Sequence, residues 1–160
     1  MIVICWTSER LLEMIYSYGG SSVRSAINEQ LGKKHKNVFT SVQADGDIKS
    51  KRIYIIHWRA ESQIDLVKKS LEDLISVAMQ RAYEDNYRSI AFPAFGCGDY
   101  KHPVEVITKT MVKKAHQEQV LYNIAVSFII QSTQQSVFHH FEKHPAPGSG
   151  RDHDWRDQGF

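Results

Sequence analysis

The sequence predicts an α/β fold with a largely parallel sheet, and two observations carry that prediction. Short apolar, β-branched runs alternate along the chain with longer segments whose apolar residues recur at helical spacing. The proportions also suit a packed core: 42% of the 160 residues are apolar and 24% are charged, which argues against a disordered or fibrous chain. A chain of this length is expected to form one domain, read here as residues 1–143, followed by a tail at 144–160.

The elements follow in order. "IVICW" (2–6) fits a strand buried on both faces. Ser8 is placed to cap a turn carrying "ERLLEMI", and Gly19-Gly20 breaks that segment before "SSVRSAINEQLG" (21–32). This last stretch reads as a helix with Val23, Ala26, Ile27 and Leu31 near one face and Gly32 as its stop. "NVFTSVQ" (37–43), the turn "ADGD" (44–47) and "RIYIIHW" (52–58) read as a hairpin, whose second strand ends with a partly buried His57. From Glu61 to about Tyr83, apolar residues at 64, 67, 71, 74, 75, 78 and 82 form one helical stripe. A strand at 89–93, a helix from Pro103 to about His116, a strand at 122–130 and a helix from about Thr133 to Lys143 complete the domain. "HPAPGSGRDHDWRDQGF" (144–160) has the composition of a linker.

Charge and cysteine content are informative mainly by what they exclude. Twenty basic against 18 acidic residues leave +2, too little to predict strong counterion-release binding to a duplex, although nucleic acid stays open as a partner. Cys5 and Cys97 form no CxxC pair, and "HHFEKH" (139–144) reads as a mostly solvated helix end with no zinc spacing, so no metal is expected. No apolar run reaches the length of a membrane span. The expectation is an intracellular protein, nuclear or cytoplasmic. Lys33, Lys34, His35 and Lys36 form a basic cluster that reads as a solvated surface or as a contact for polymer phosphates.

In open α/β sheets ligands bind at the carboxyl ends of strands, where loops and helix N-termini expose backbone N–H groups. Two glycine-bearing loops qualify: "YGGSSV" (18–23), and "FGCGDY" (95–100) after the strand at 89–93. Glycines let the backbone curl closely around an anion, so a diphosphate held between the two loops is the physical reading. The competing reading is that these glycines only reverse the chain. Neither loop is a P-loop or a GxGxxG fingerprint.

These residues resemble the macrodomain, an ADP-ribose-binding α/β module, and most closely those of poly-ADP-ribose-polymerase-type multidomain proteins. "FPAFGCGDYKHP" (92–103) resembles the family's "FPAIGTG" loop with its following proline and helix, "SVQADGDIKSKRIYIIH" its hairpin, and "ICWTSERLL…GGSSVRSAI" its "VNAANxxL…GGGVxxAI" segment. The resemblance implies a three-layer α/β/α sandwich with a mixed, largely parallel sheet, in which the family's first strand would lie before residue 1. It also implies a cleft for ADP-ribose, with Gly19, Gly20, Ser21, Ser22 and Val23 on one wall and Gly96, Cys97, Gly98, Asp99 and Tyr100 on the other. Cys5 and Ser8 stand where two asparagines commonly lie, and the triple glycine has become Gly20-Ser21-Ser22. Arg24 replaces an acidic residue of some hydrolases, Lys101 and His102 replace a glycine and an aromatic, and Ile130 replaces an aromatic that stacks on adenine.

The expected function is therefore a module that recognises ADP-ribose or ADP-ribosylated protein, with no cofactor beyond that ligand, as one unit of a larger chain. Without the asparagine and the loop acid no catalytic residue is assigned. Two alternatives stand beside it: an ADP-ribosyl hydrolase using the same cleft, and a degenerate module serving protein or nucleic-acid interaction. Asp99 reads either as a general base beside the distal ribose or as a cap for the helix at Pro103. Cys97, ahead of a helix N-terminus, sits where thiol pKa values fall and His102 could serve as its base, or else it simply fills a small-residue position.

Overall fold

The structure, a computed structural model, describes residues 1–5, 9–32, 39–58, 61–97 and 102–144. The expectations for Ser8, the 33–36 cluster, Gly98, Asp99, Tyr100, Lys101 and the tail beyond residue 144 lie outside the described residues. Among the described residues five strands and four helices alternate in the predicted α/β order, and the chain packs as two compact units, Met1–Arg59 and Ala60–Phe160.

The first unit holds β1 (Ile2–Cys5), α1 (Glu9–Gly32), β2 (Phe39–Gln43) and β3 (Arg52–Ile56). β1 runs parallel to β3, with Ile2 opposite Ile53 and Cys5 opposite Ile56, and β2 runs antiparallel to β3, with Phe39 opposite Ile56. Ile53, Tyr54, Ile55 and Ile56 are all buried, the pattern of a strand covered on both faces. Phe39 packs edge-on against Tyr54 at 4.6 Å between ring centroids. β3 ends at Ile56, two residues before the sequence reading, and His57 beyond it is exposed rather than partly buried.

α1 departs most from expectation. The turn at "ERLLEMI" and the helix at 21–32 are halves of one element, which kinks at Gly20 (φ 66, ψ −164). Leu12, Ile15, Val23 and Ile27 from both halves are buried, so apolar contacts on one side continue through the glycine pair. The strain of the kink falls where no Cβ exists to oppose it.

The second unit holds α2 (Ile64–Glu84), β4 (Ser89–Pro93), α3 (Val104–Tyr122), β5 (Ala125–Ile129) and α4 (Gln135–Glu142). β4 and β5 are parallel, with Ser89 opposite Ala125 and Pro93 opposite Ile129. Leu71, Ile75 and Met79 of α2, with Ile107 and Met111 of α3, are fully buried. The Phe128 ring centroid lies 4.7 Å from that of Phe141 in α4 and 6.4 Å from that of Phe92. α2 closes in a Schellman turn: Asn86 takes a left-handed φ of 59° while its N–H reaches the Tyr83 carbonyl at 3.0 Å, and the Tyr87 N–H reaches the Ala82 carbonyl at 2.8 Å.

α3 begins one residue after Pro103 and runs six residues past the predicted end at His116. Its extension is anchored by Glu118, which accepts hydrogen bonds from Ser76 Oγ of α2 (2.7 Å) and from Lys114 Nζ (2.6 Å). Burial pushes the Glu118 carboxyl up, but the bonds from Lys114 and Ser76 and the ammonium charge together hold it below its usual value. Asn123, left-handed at φ 53°, stops the helix. Near the C-terminal helix, "HHFEKH" is less solvated than predicted: Phe141 is in the core, and His140 and His144 are half-buried. Among the described residues no helix is long and apolar enough to cross a membrane, and no group of three His, Cys, Asp or Glu is arranged to hold a metal.

Candidate functional site

The first glycine-bearing segment is built around the kink in α1. Gly19 is buried, and a Cβ there would stand 2.7 Å from Val23 Cβ and 2.9 Å from Ile48 Cδ1. Gly20 is exposed, with a backbone conformation that side-chain-bearing residues rarely adopt and open space where a Cβ would stand. The chain re-enters the helix at Ser21, so a helical N-terminus with partial positive charge lies at Ser21, Ser22 and Val23. Ser21 and Ser22 are exposed, while the Val23 side chain is in the core and leaves only its backbone for a ligand.

The hairpin turn closes on this segment. Asp47 N–H donates to the Tyr18 carbonyl at 2.8 Å, and Gly46 (φ 67) lies so close that a Cβ there would be 2.5 Å from the same oxygen. Asp45 is thereby brought to Ser22, whose hydroxyl donates to Oδ2 at 2.8 Å, while the Gly46 N–H donates to Oδ1 at 2.8 Å. Those two bonds, the backbone one first, hold the Asp45 carboxyl below its usual range. A carboxylate thus stands on the serine expected to face phosphate. The sequence reading treated "ADGD" only as a turn, and no local pattern names a partner 23 residues away. Arg24 is also committed, its guanidinium lying 4.9 Å over the Tyr16 ring.

The second segment follows β4 in the other unit. Phe95 N–H donates to the Pro93 carbonyl (2.8 Å) and Cys97 N–H to the Ala94 carbonyl (3.3 Å), while Gly96 takes φ 72°. These two amides are spent within the loop. Phe95, Gly96 and Cys97 are all buried. The reading of Cys97 as a low-pKa thiol is corrected here: burial pushes it up to about 12, because desolvation penalises the thiolate and outweighs any effect of the helix downstream. The small-residue reading fits instead. Of Cys5 only the backbone is described, at the end of β1 beside Ile56.

The sequence model of the Macro domain matches residues 11–111, more than half the chain, including both glycine-bearing segments as far as Tyr100. The chain belongs to the Macro domain family. Solved structures agree on the fold. The macro domain of ganglioside induced differentiation associated protein 2 is similar to this macrodomain at a TM-score of 0.73 and 13% identity, over 93% of this chain and 78% of that one. A point mutant of the Oceanobacillus iheyensis macrodomain gives 0.70 at 15% identity, over 89% and 78% of the two chains. The Trypanosoma brucei macrodomain, solved in complex with ADP-ribose, gives 0.65 at 13% identity, over 81% of this chain and 54% of that one. At these identities the likeness carries the α/β fold. No curated protein matches the sequence.

Proposed function

We propose that this macrodomain binds ADP-ribose, free or attached to protein, and that each of the two glycine-bearing segments contributes phosphate contacts. Family membership supports the ligand class, and structures of similar fold are solved with ADP-ribose and with ADP. The observation that carries the reading in this chain is the positive φ of Gly20 and Gly96, one in each segment. Each glycine sits where the backbone turns sharply: after Gly20 the chain presents a helical N-terminus at Ser21 to Val23, whereas at Gly96 the Phe95 and Cys97 amides close the turn itself, so the phosphate contacts of the second segment fall to the residues after Cys97. Ser21, Ser22 and the Val23 amide form the first contact set, and Gly98, Asp99 and Tyr100 extend the second. Cys5 and Ser8 are assigned to the distal ribose by resemblance alone.

Calorimetric titration with ADP-ribose tests this directly, with micromolar-range binding expected. Gly98→Glu and Ser22→Glu, which put charge and bulk at the diphosphate, each abolish that binding; a silent titration at millimolar ligand refutes the reading. A second reading, a module with reduced nucleotide affinity, is favoured by one observation, the Asp45 carboxylate on Ser22. Hydrolysis is read separately, by loss of label from mono-ADP-ribosylated protein in the presence and absence of Gly98→Glu.

A further inference from the structure

The second unit carries a pocket that the proposed function does not use. It has a volume of about 420 Å³ and is formed where α2 and α3 end, by Tyr83, Asn86, Tyr87, Arg88, Tyr122 and Asn123 above the buried Ile124. Tyr87 and Arg88 immediately precede β4, and Asn123 and Ile124 immediately precede β5, so the pocket lies at the N-terminal ends of these strands. The loop at Ala94–Cys97 follows the opposite end of β4, about 15 Å away along a strand of five residues.

Tyr83 and Tyr122 lie together with ring centroids 5.3 Å apart and planes tilted by 38°, yet Tyr83 remains 58% exposed. The left-handed Asn86 and Asn123 terminate the two helices through their backbones and leave their carboxamides to solvent. Among the described residues, Arg88, Asn86 and Asn123 engage no side-chain hydrogen bond or ion pair, whereas Arg81, seven residues before Arg88, is paired with Glu84 and Asp85. Glu84 also faces the pocket, but its charge is met by Arg81 and by Gln80 (3.0 Å).

We propose that this pocket binds a nucleoside monophosphate unit. A planar base stacks on the exposed tyrosine face, the carboxamides of Asn86 and Asn123 offer donors and acceptors to its edge, and the guanidinium of Arg88 takes the phosphate. The volume falls within the range of small-molecule sites. A purely apolar ligand would leave the polar groups of this lining unmatched, and one carboxylate is too few for a metal. The proposal is independent of ADP-ribose binding by the glycine-bearing segments.

The probe is AMP, with adenosine and inorganic phosphate as controls, followed by amide chemical shifts in the intact chain. Saturable shifts at residues 86–88 and 122–125, with AMP binding tighter than adenosine or phosphate, are expected. Arg88→Gln, at an exposed position, weakens AMP binding about tenfold, the scale of a charge-assisted phosphate contact, while leaving the response to ADP-ribose at residues 19–23 intact. Asn86→Gly keeps the helix stop, since glycine suits a left-handed position, and also weakens AMP. A short oligoadenylate tells a free nucleotide from a strand: tighter binding than AMP assigns the site to single strands. No saturable shift at millimolar AMP, or shifts confined to residues 19–23 and 94–98, overturns the proposal.

Discussion

Four glycines of the first unit differ in what a side chain would meet, and replacing each by alanine separates backbone strain from packing. At Gly20 the added Cβ has nothing within 4 Å, so the whole cost is conformational; φ 66 with ψ −164 lies in a region nearly reserved to glycine, and the loss is about 1–3 kcal/mol. At Gly46 the same kind of penalty at φ 67 is joined by a Cβ placed 2.5 Å from the Tyr18 carbonyl oxygen and 3.1 Å from Gly19 C. Backbone atoms cannot rotate away, so the hairpin turn must separate from α1, at roughly 2–4 kcal/mol. Gly19 has no positive φ, but its Cβ would lie within 2.9 Å of Val23 and Ile48 atoms; overpacking of about 1–3 kcal/mol is set against about 1 kcal/mol of helix propensity. Gly32 has neither constraint, and alanine there stabilises by about 0.4–1 kcal/mol. Urea unfolding followed by circular dichroism reads these differences, since a slope of about 1–3 kcal/mol per molar turns 2 kcal/mol into a midpoint shift near 1 M. The expected order of stability is Gly32→Ala, then Gly19→Ala, then Gly20→Ala, then Gly46→Ala. A Gly20→Ala protein as stable as the parent would refute the kink, and Gly46→Ala milder than Gly20→Ala would refute the close approach to Tyr18.

Three further outcomes follow from particular contacts. Because Asp45 lies on Ser22, Asp45→Asn raises ADP-ribose affinity a few-fold at low salt and less at high salt, as titration at two ionic strengths will read; a fall in affinity would mean that the carboxylate helps position the ligand. Glu118 has its carboxyl held down in the fold, so its contribution is present above the ordinary carboxylate pKa of about 4.3 and is lost as pH falls through the lower folded value. Glu118→Gln should therefore cost about 1–3 kcal/mol at pH 7 and progressively less in acid, and a cost independent of pH would show that the Lys114 pairing is not its source. Buried Cys97, its thiol pushed up to about 12, is expected to resist iodoacetamide at pH 8 until the chain unfolds, and mass spectrometry showing native labelling at the rate of an ordinary thiol would contradict that burial.

Periodicity and punctuation in the sequence were enough to determine the order of the strands and helices among the described residues, since each signal spans only a few residues. The apolar stripe of α2 and the β-branched run at β3 declare their elements without reference to the rest of the chain. Both glycine-bearing segments were likewise legible, because a positive φ at a chain reversal selects glycine locally. Tertiary structure decided what these segments touch. Gly19-Gly20 reads as a break, yet Leu12, Ile15, Val23 and Ile27 bury together and carry α1 through it. α3 outruns its sequence signal because Glu118 finds Ser76, 42 residues earlier. Cys97 looks activated beside a glycine loop and is silenced by burial, and Asp45 looks like turn chemistry until its carboxylate meets Ser22. Desolvation and hydrogen bonding between distant residues depend on which surfaces the packed chain brings together, and no window of neighbouring residues encodes that pairing.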